Sequence, residues 1–176
     1  MTQLIVLSAI GTDRTGVVQD ITKVILGCGG NIEESRMTTL GTEFAMLMLV
    51  SGNWHTLTKL ERELEKLGNG NNLTFAIRKT GEQATKVDRM PYAVDAVSLD
   101  QQGIVFGLAS FFAEHDIEIA DVATRSYAAA HTGAPMFAVQ MAVNIPSKVH
   151  IAQLRDEFLE LSDRLNLDAI LEPVKV

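Results

Sequence analysis

The sequence predicts an α+β fold made of two copies of one β-α-β-β-α-β unit. Three observations carry this reading. The first is an internal repeat at an interval of 87 residues (Asp13 to Asp100). Asp13-Arg14-Thr15-Gly16-Val17-Val18, then Ile21, Val24 and Ile25, then Asn31-Ile32, align with Asp100-Gln101-Gln102-Gly103-Ile104-Val105, then Leu108, Phe111 and Phe112, then Glu118-Ile119. The second is that the apolar positions after each glycine fall on one face at a 3.6-residue period, which predicts an amphipathic helix. The third is a set of short apolar runs rich in branched residues, of the kind that form buried strands.

The elements follow in order. Leu4 to Ile10 reads as a strand, and Gly16 opens a helix that Cys28-Gly29-Gly30 stops, because glycine tolerates the left-handed conformation of a helix C-terminus. Strands over 31–40 and 43–51 turn near Gly41. The second helix presents Leu57, Leu60, Leu64 and Leu67, and the last strand covers 72–79. The second half repeats each element. Phe44-Ala45-x-x-Met48-x-Val50 matches Phe137-Ala138-x-x-Met141-x-Val143, and the leucine set matches Ile151, Leu154, Phe158 and Leu161, with the last strand over 167–175. The interval grows from 87 residues (Asp13 to Asp100) to 93 (Phe44 to Phe137), which places a lengthened hairpin tip at 128–134. The expected domains are 1–80 and 91–176, joined by a polar linker over 81–90. This order is the ferredoxin-like arrangement, a four-stranded antiparallel sheet with two helices on one face. It leaves the other sheet face and one edge in need of cover.

Composition narrows the function. Of 176 residues, 47% are hydrophobic and 21% charged, an ordinary soluble balance. No apolar run approaches the ~20 residues that span a bilayer, so no membrane association is expected. Met1-Thr2-Gln3-Leu4 shows no basic region before an apolar stretch, so no signal peptide is expected and cytoplasm is the default. A single cysteine, Cys28, gives no intramolecular disulfide. The net charge is −7, concentrated in the second half, and Lys and Arg are nowhere clustered. Phosphate contacts dominate nucleic-acid affinity, so direct DNA or RNA binding is not expected. A gene regulator of this composition acts through another protein.

The loop Asp13-Arg14-Thr15-Gly16-Val17-Val18 followed by Asn31-Ile32 resembles the ACT domain, a small regulatory module that usually binds amino acids at domain interfaces. The resemblance covers both halves. A two-ACT chain without a catalytic domain is similar to the family of glycine cleavage system transcriptional repressors. That resemblance implies a chain that holds a DNA-binding activator, a transcription-factor partner, in an inactive complex relieved by glycine. The uncovered sheet face and edge, against which further copies can pack, lead to the expectation of a homo-oligomer. Regulation of a metabolic enzyme, or a ligand-free interaction module, are the alternatives.

The loop chemistry agrees with a ligand. Gly16 lets the backbone turn into a helix N-terminus, whose unpaired N–H groups and dipole favour a carboxylate. Asp13 can accept from an ammonium group, and Asn31 offers both a donor and an acceptor. Asp13, Arg14, Thr15, Gly16, Asn31 and Ile32 are therefore the candidate ligand-binding residues. The structural alternative is that Asp13 caps the helix and Asn31 sits in a turn. In the second half Gln101, Gln102 and Glu118 replace Arg14, Thr15 and Asn31, so that copy reads as a structural or partner-binding one.

No catalytic set is expected. Cys28 fits a structural role at a helix end, where a thiolate is disfavoured. His55, His115, His131 and His150 lack the pairing of a metal site, so no metal and no cofactor is expected. Met46, Met48 and Met141 read as core. An RNA-binding sheet would need exposed aromatics, whereas Phe44 and Phe137 head core-like strands. The glycine-rich cradle of an acylphosphatase-like enzyme is missing around Arg14.

Overall fold

The computed structural model describes residues 2–82 and 88–174. The chain divides into two compact units, Met1–Ala84 and Thr85–Val176. Among the described residues, the first unit contains β1 (Gln3–Thr12), α1 (Val17–Gly27), β2 (Asn31–Leu40), β3 (Glu43–Gly52), α2 (Trp54–Asn71) and β4 (Leu73–Thr80). The second contains β5 (Arg89–Leu99), α3 (Ile104–Glu114), β6 (Glu118–Ala128), β7 (Pro135–Pro146), α4 (Ile151–Leu165) and β8 (Asp168–Pro173). Residues 83–87 of the expected linker lie outside the described residues, and Arg89 and Met90 already belong to β5.

Each sheet is antiparallel, with strand order β2-β3-β1-β4 in the first unit and β6-β7-β5-β8 in the second. The α+β ferredoxin-like expectation therefore holds in both copies. Alternation along the strands explains why the helices lie on one face. Ile5, Leu7 and Ala9 of β1 are buried with Phe44, Met48 and Val50 of β3, while Ile10 remains 55% exposed on the outer face. Val17, Ile21 and Ile25 of α1 and Leu57, Leu60 and Leu64 of α2 close the first core from the other side. The second core repeats this with Val94, Ala96, Val139, Met141 and Val143 under Ile104, Leu108, Phe112, Leu154, Phe158 and Leu161. Met46, Met48 and Met141 are buried, as expected.

The turns repeat as well. Gly29 takes φ 79, its N–H donates to the Leu26 carbonyl at 2.9 Å, and the Gly30 N–H donates to the Ile25 carbonyl at 3.0 Å. These two bonds satisfy the carbonyls at the end of α1, as glycine-terminated helices do. In α3 the same pair runs from Asp116 (φ 56) to Ala113 and from Ile117 to Phe112. A β-bulge follows at the same place in both copies, between Ile32 and Glu34 and between Ile119 and Asp121. The inserted residues form a wider tip in the β6–β7 hairpin, closed where the Ala129 N–H donates to the Ala134 carbonyl at 2.8 Å.

Candidate functional site

The loop between β1 and α1 is built by ties to three other elements. Gly16 is the N-cap of α1, with φ 88 and ψ −4, a conformation that strains any side-chain-bearing residue. No side chain caps this helix, so Asp13 does not take the capping role open to it from sequence. Its carboxylate instead accepts from Thr39 Oγ1 of β2 at 3.4 Å, while its N–H donates to the Thr42 carbonyl at 3.0 Å. Capping fails because Asp13 is held at the β2–β3 hairpin, and the chain then needs Arg14 and Thr15 to reach Gly16. Arg14 is occupied too. Its Nη2 donates to Asp20 Oδ2 at 2.6 Å and to Asn71 Oδ1, the last residue of α2, at 3.2 Å. Arg14 thus ties the loop to both helices.

The second unit keeps this framework with different side chains. Asp100 accepts from Ser126 Oγ at 3.1 Å, and its N–H donates to the Pro135 carbonyl at 2.9 Å. Gln101 Nε2 donates to the carbonyl of Leu165, the last residue of α4, at 2.6 Å. Gly103 takes φ 91. The hydroxyls of Thr39 and Ser126 escaped sequence reasoning because each lies 26 residues from its aspartate and meets it only through the sheet.

Asn31 and Ile32 stand elsewhere. The 11-residue helix α1 separates them from residues 13–16, so the two sets lie at opposite ends of a rod of about 16 Å. Asn31 Nδ2 donates to Glu33 Oε1 at 2.9 Å, and Ser51 Oγ donates to the same carboxylate. These two hydrogen bonds, that from Ser51 foremost, hold the Glu33 carboxyl below its ordinary range. Asn31 begins β2 rather than occupying a turn, and with Ile32 and Gly30 it edges a groove under Thr22, Lys23 and Leu26 of α1. Within one unit, the six candidate residues therefore form two clusters.

The remaining reactive side chains have structural settings. Cys28 is buried at the end of α1, and burial pushes its thiol up. His55 and His150 are exposed near the starts of α2 and α4. Among the described residues no group of three or more His, Cys, Asp and Glu could hold a metal ion. Among them, too, no helix is long and apolar enough to cross a membrane.

His115 is the exception in its contacts. Its Nδ1 meets the Phe111 carbonyl at 2.8 Å and its Nε2 meets Glu157 Oε2 at 2.6 Å. Both partners only accept, so both ring nitrogens carry protons when both bonds form. Burial alone lowers the imidazole, but the Phe111 carbonyl, Glu157 and Glu114 outweigh it and hold His115 above its ordinary 6.5. A raised folded value means that the contribution is fully present below 6.5 and is lost as pH rises through the folded value. Glu157 is lowered, by Gln153 and then His115, so its part is present above 4.5 and lost as pH falls. The destabilisation caused by His115→Gln is therefore expected to be about 1 kcal/mol near pH 5 to 6 and to shrink toward pH 9. Urea titrations across that range check it, and a penalty that grows with pH contradicts it.

Comparison with known proteins places this architecture. Residues 3–78 match the family model of the ACT domain. Over 170 residues the chain is 28% identical to the glycine cleavage system transcriptional repressor of Escherichia coli K12, covering 97% of this chain and 90% of that protein. It is 42% identical over 66 residues to UPF0237 protein MJ1558 of Methanocaldococcus jannaschii, covering 36% of this chain and 73% of the relative. The crystal structure of an unknown protein from Galdieria sulphuraria is similar with a TM-score of 0.82 at 26% identity, over 99% of this chain and 100% of that one. The first unit thus belongs to the ACT-domain family, and the second repeats its fold.

Proposed function

We propose that this protein is a cytoplasmic, non-enzymatic regulator that responds to an amino acid, glycine by likeness. It represses genes of glycine cleavage by binding a DNA-binding activator rather than DNA. The observation that carries this reading is the likeness to the Escherichia coli repressor, which runs through both units instead of stopping at one. The charge of −7 supports a protein partner, because a chain without a basic cluster gains little from phosphate contacts.

The ligand would meet the uncapped first turn of α1 after Gly16, with Asp13, Arg14 and Thr15 shaping the loop. Asn31 and Ile32 are too far along α1 to touch the same small molecule in one unit. If they share it, they come from a second copy of the chain, which gives the expected homo-oligomer a role in binding. Binding shifts partner affinity only by as much as the ligand prefers one arrangement over the other.

Calorimetry on the folded protein with glycine and a panel of amino acids tests the sensor reading. Saturable binding of an amino acid supports it, and no binding by any amino acid sinks it. Co-purification with the activator of the glycine cleavage genes, with and without glycine, tests the partner. One observation favours a second reading. Arg14 and Asp13 already have partners inside the unit, as a ligand-free interaction module requires. Under that reading Asn31→Ala leaves partner binding unchanged and glycine has no effect.

A further inference from the structure

The outer face of the second sheet, turned away from α3 and α4, carries a recess that the loops do not enter. Its floor is Ala138 on β7. The strand register sets Arg125 of β6 and Val97 of β5 on either side of Ala138, and the next outward rung aligns Ala123, Gln140 and Asp95. Alanines at the centre leave a hollow between longer side chains, about 390 Å³ and lined by Asp95, Val97, Arg125, Tyr127, Ala138 and Gln140. With strands about 4.8 Å apart, its two walls rise from backbones about 10 Å apart.

Opposite charges stand on opposite walls. The Arg125 guanidinium carbon lies 5.4 Å from the centre of the Tyr127 ring, which supports the cation on its negative face. Among the described residues no carboxylate forms an ion pair with Arg125. Across the recess, Gln140 Nε2 donates to Asp95 Oδ1 at 3.1 Å, which orients the carboxylate and leaves its second oxygen for another donor. The corresponding positions of the first unit are Thr38, Leu40, Ser8 and Leu47, so this constellation belongs to the second repeat alone.

We infer that the recess binds a small zwitterion of the amino-acid class, its carboxylate on Arg125 and its ammonium on Asp95. Val97 and the Tyr127 ring offer apolar surface to the rest of the molecule. Guanidinium–carboxylate and ammonium–carboxylate hydrogen bonds are the strong charge-assisted kind, so each wall contributes to affinity. The site is separate from residues 13–16, and a ligand binds here whether or not that loop takes one.

The test is an amide NMR titration of the full chain with glycine and with L-alanine. Expected are shifts at Ala123 to Tyr127, Ala138 and Gln140 that saturate. Arg125→Met and Asp95→Asn each weaken binding at least about tenfold. Both side chains are exposed, and an unchanged far-UV circular dichroism spectrum confirms that the variants fold. Absence of shifts at these amides overturns the inference, as do variants that bind like wild type. Shifts confined to 13–16 and 31–32 overturn it while leaving the loop-based reading standing.

Discussion

Phe112→Ala is expected to destabilise the second unit by about 3–5 kcal/mol, the largest effect of any substitution considered for this chain. Phe112 is fully buried, lies stacked on Phe158 at 6.1 Å between ring centres, and meets Phe111 edge-on at 5.3 Å. Its backbone carbonyl also accepts the Ile117 N–H that ends α3. Truncation leaves a cavity among residues drawn from both helices and the sheet, and the two neighbouring rings cannot both move in to fill it. Phe106, six residues earlier on the same helix, is 77% exposed and provides the control. Phe106→Ala should change stability by less than about 0.5 kcal/mol. Urea denaturation of the two variants side by side decides the matter, and equal midpoints would show the core assignment to be wrong.

The second large effect is expected from Gly11→Ala, at about 1–3 kcal/mol. A Cβ on Gly11 stands 2.3 Å from the Asn72 carbonyl oxygen and 3.1 Å from the Leu73 Cα, both backbone atoms that cannot swing aside. Asn72 is the left-handed cap of α2 and the sole residue between α2 and β4, so the connection has no slack. In the first unit the β1–β4 ladder extends to the pair Gly11 and Leu73. In the second, Ser98 occupies the equivalent place and the β5–β8 ladder stops at Val97 and Asp168. The alanine variant is thus expected to shorten the first ladder by that pair, seen as faster hydrogen exchange at the start of β4 together with a lowered urea midpoint. Wild-type exchange there with an unchanged midpoint would refute the clash.

Much of this molecule is legible from residues near one another in the chain. The helices of the first unit are visible because Val17, Ile21 and Ile25 recur at the helical period, and their ends are visible because Gly29 can adopt a positive φ. The hairpin insertion is visible because Phe44 and Phe137 are displaced relative to Asp13 and Asp100. These signals are local, carried by side-chain period and by the backbone freedom of single residues. The duplicated architecture follows from their recurrence.

The site resisted the same reading because it depends on which strands lie side by side. Asp13 has the chemistry of a helix cap, yet the hairpin holds it against Thr39. Arg14 has the chemistry of an anion receptor, yet Asp20 and Asn71 occupy it. Asn31 follows the loop closely in sequence, but α1 carries it to the other end of the sheet. Arg125 and Tyr127 stand two residues apart on one strand, whereas Asp95 and Gln140 join them only through the register of three strands.

The sequence by itself determined that the chain is two ferredoxin-like α+β units with a polar stretch between and a lengthened hairpin in the second, because period and turn chemistry are properties of short segments. Only the tertiary structure decided which polar groups are already satisfied and which face each other across a recess. Hydrogen bonds and charges act over a few ångströms of space, and strand pairing sets those distances between residues far apart in the chain.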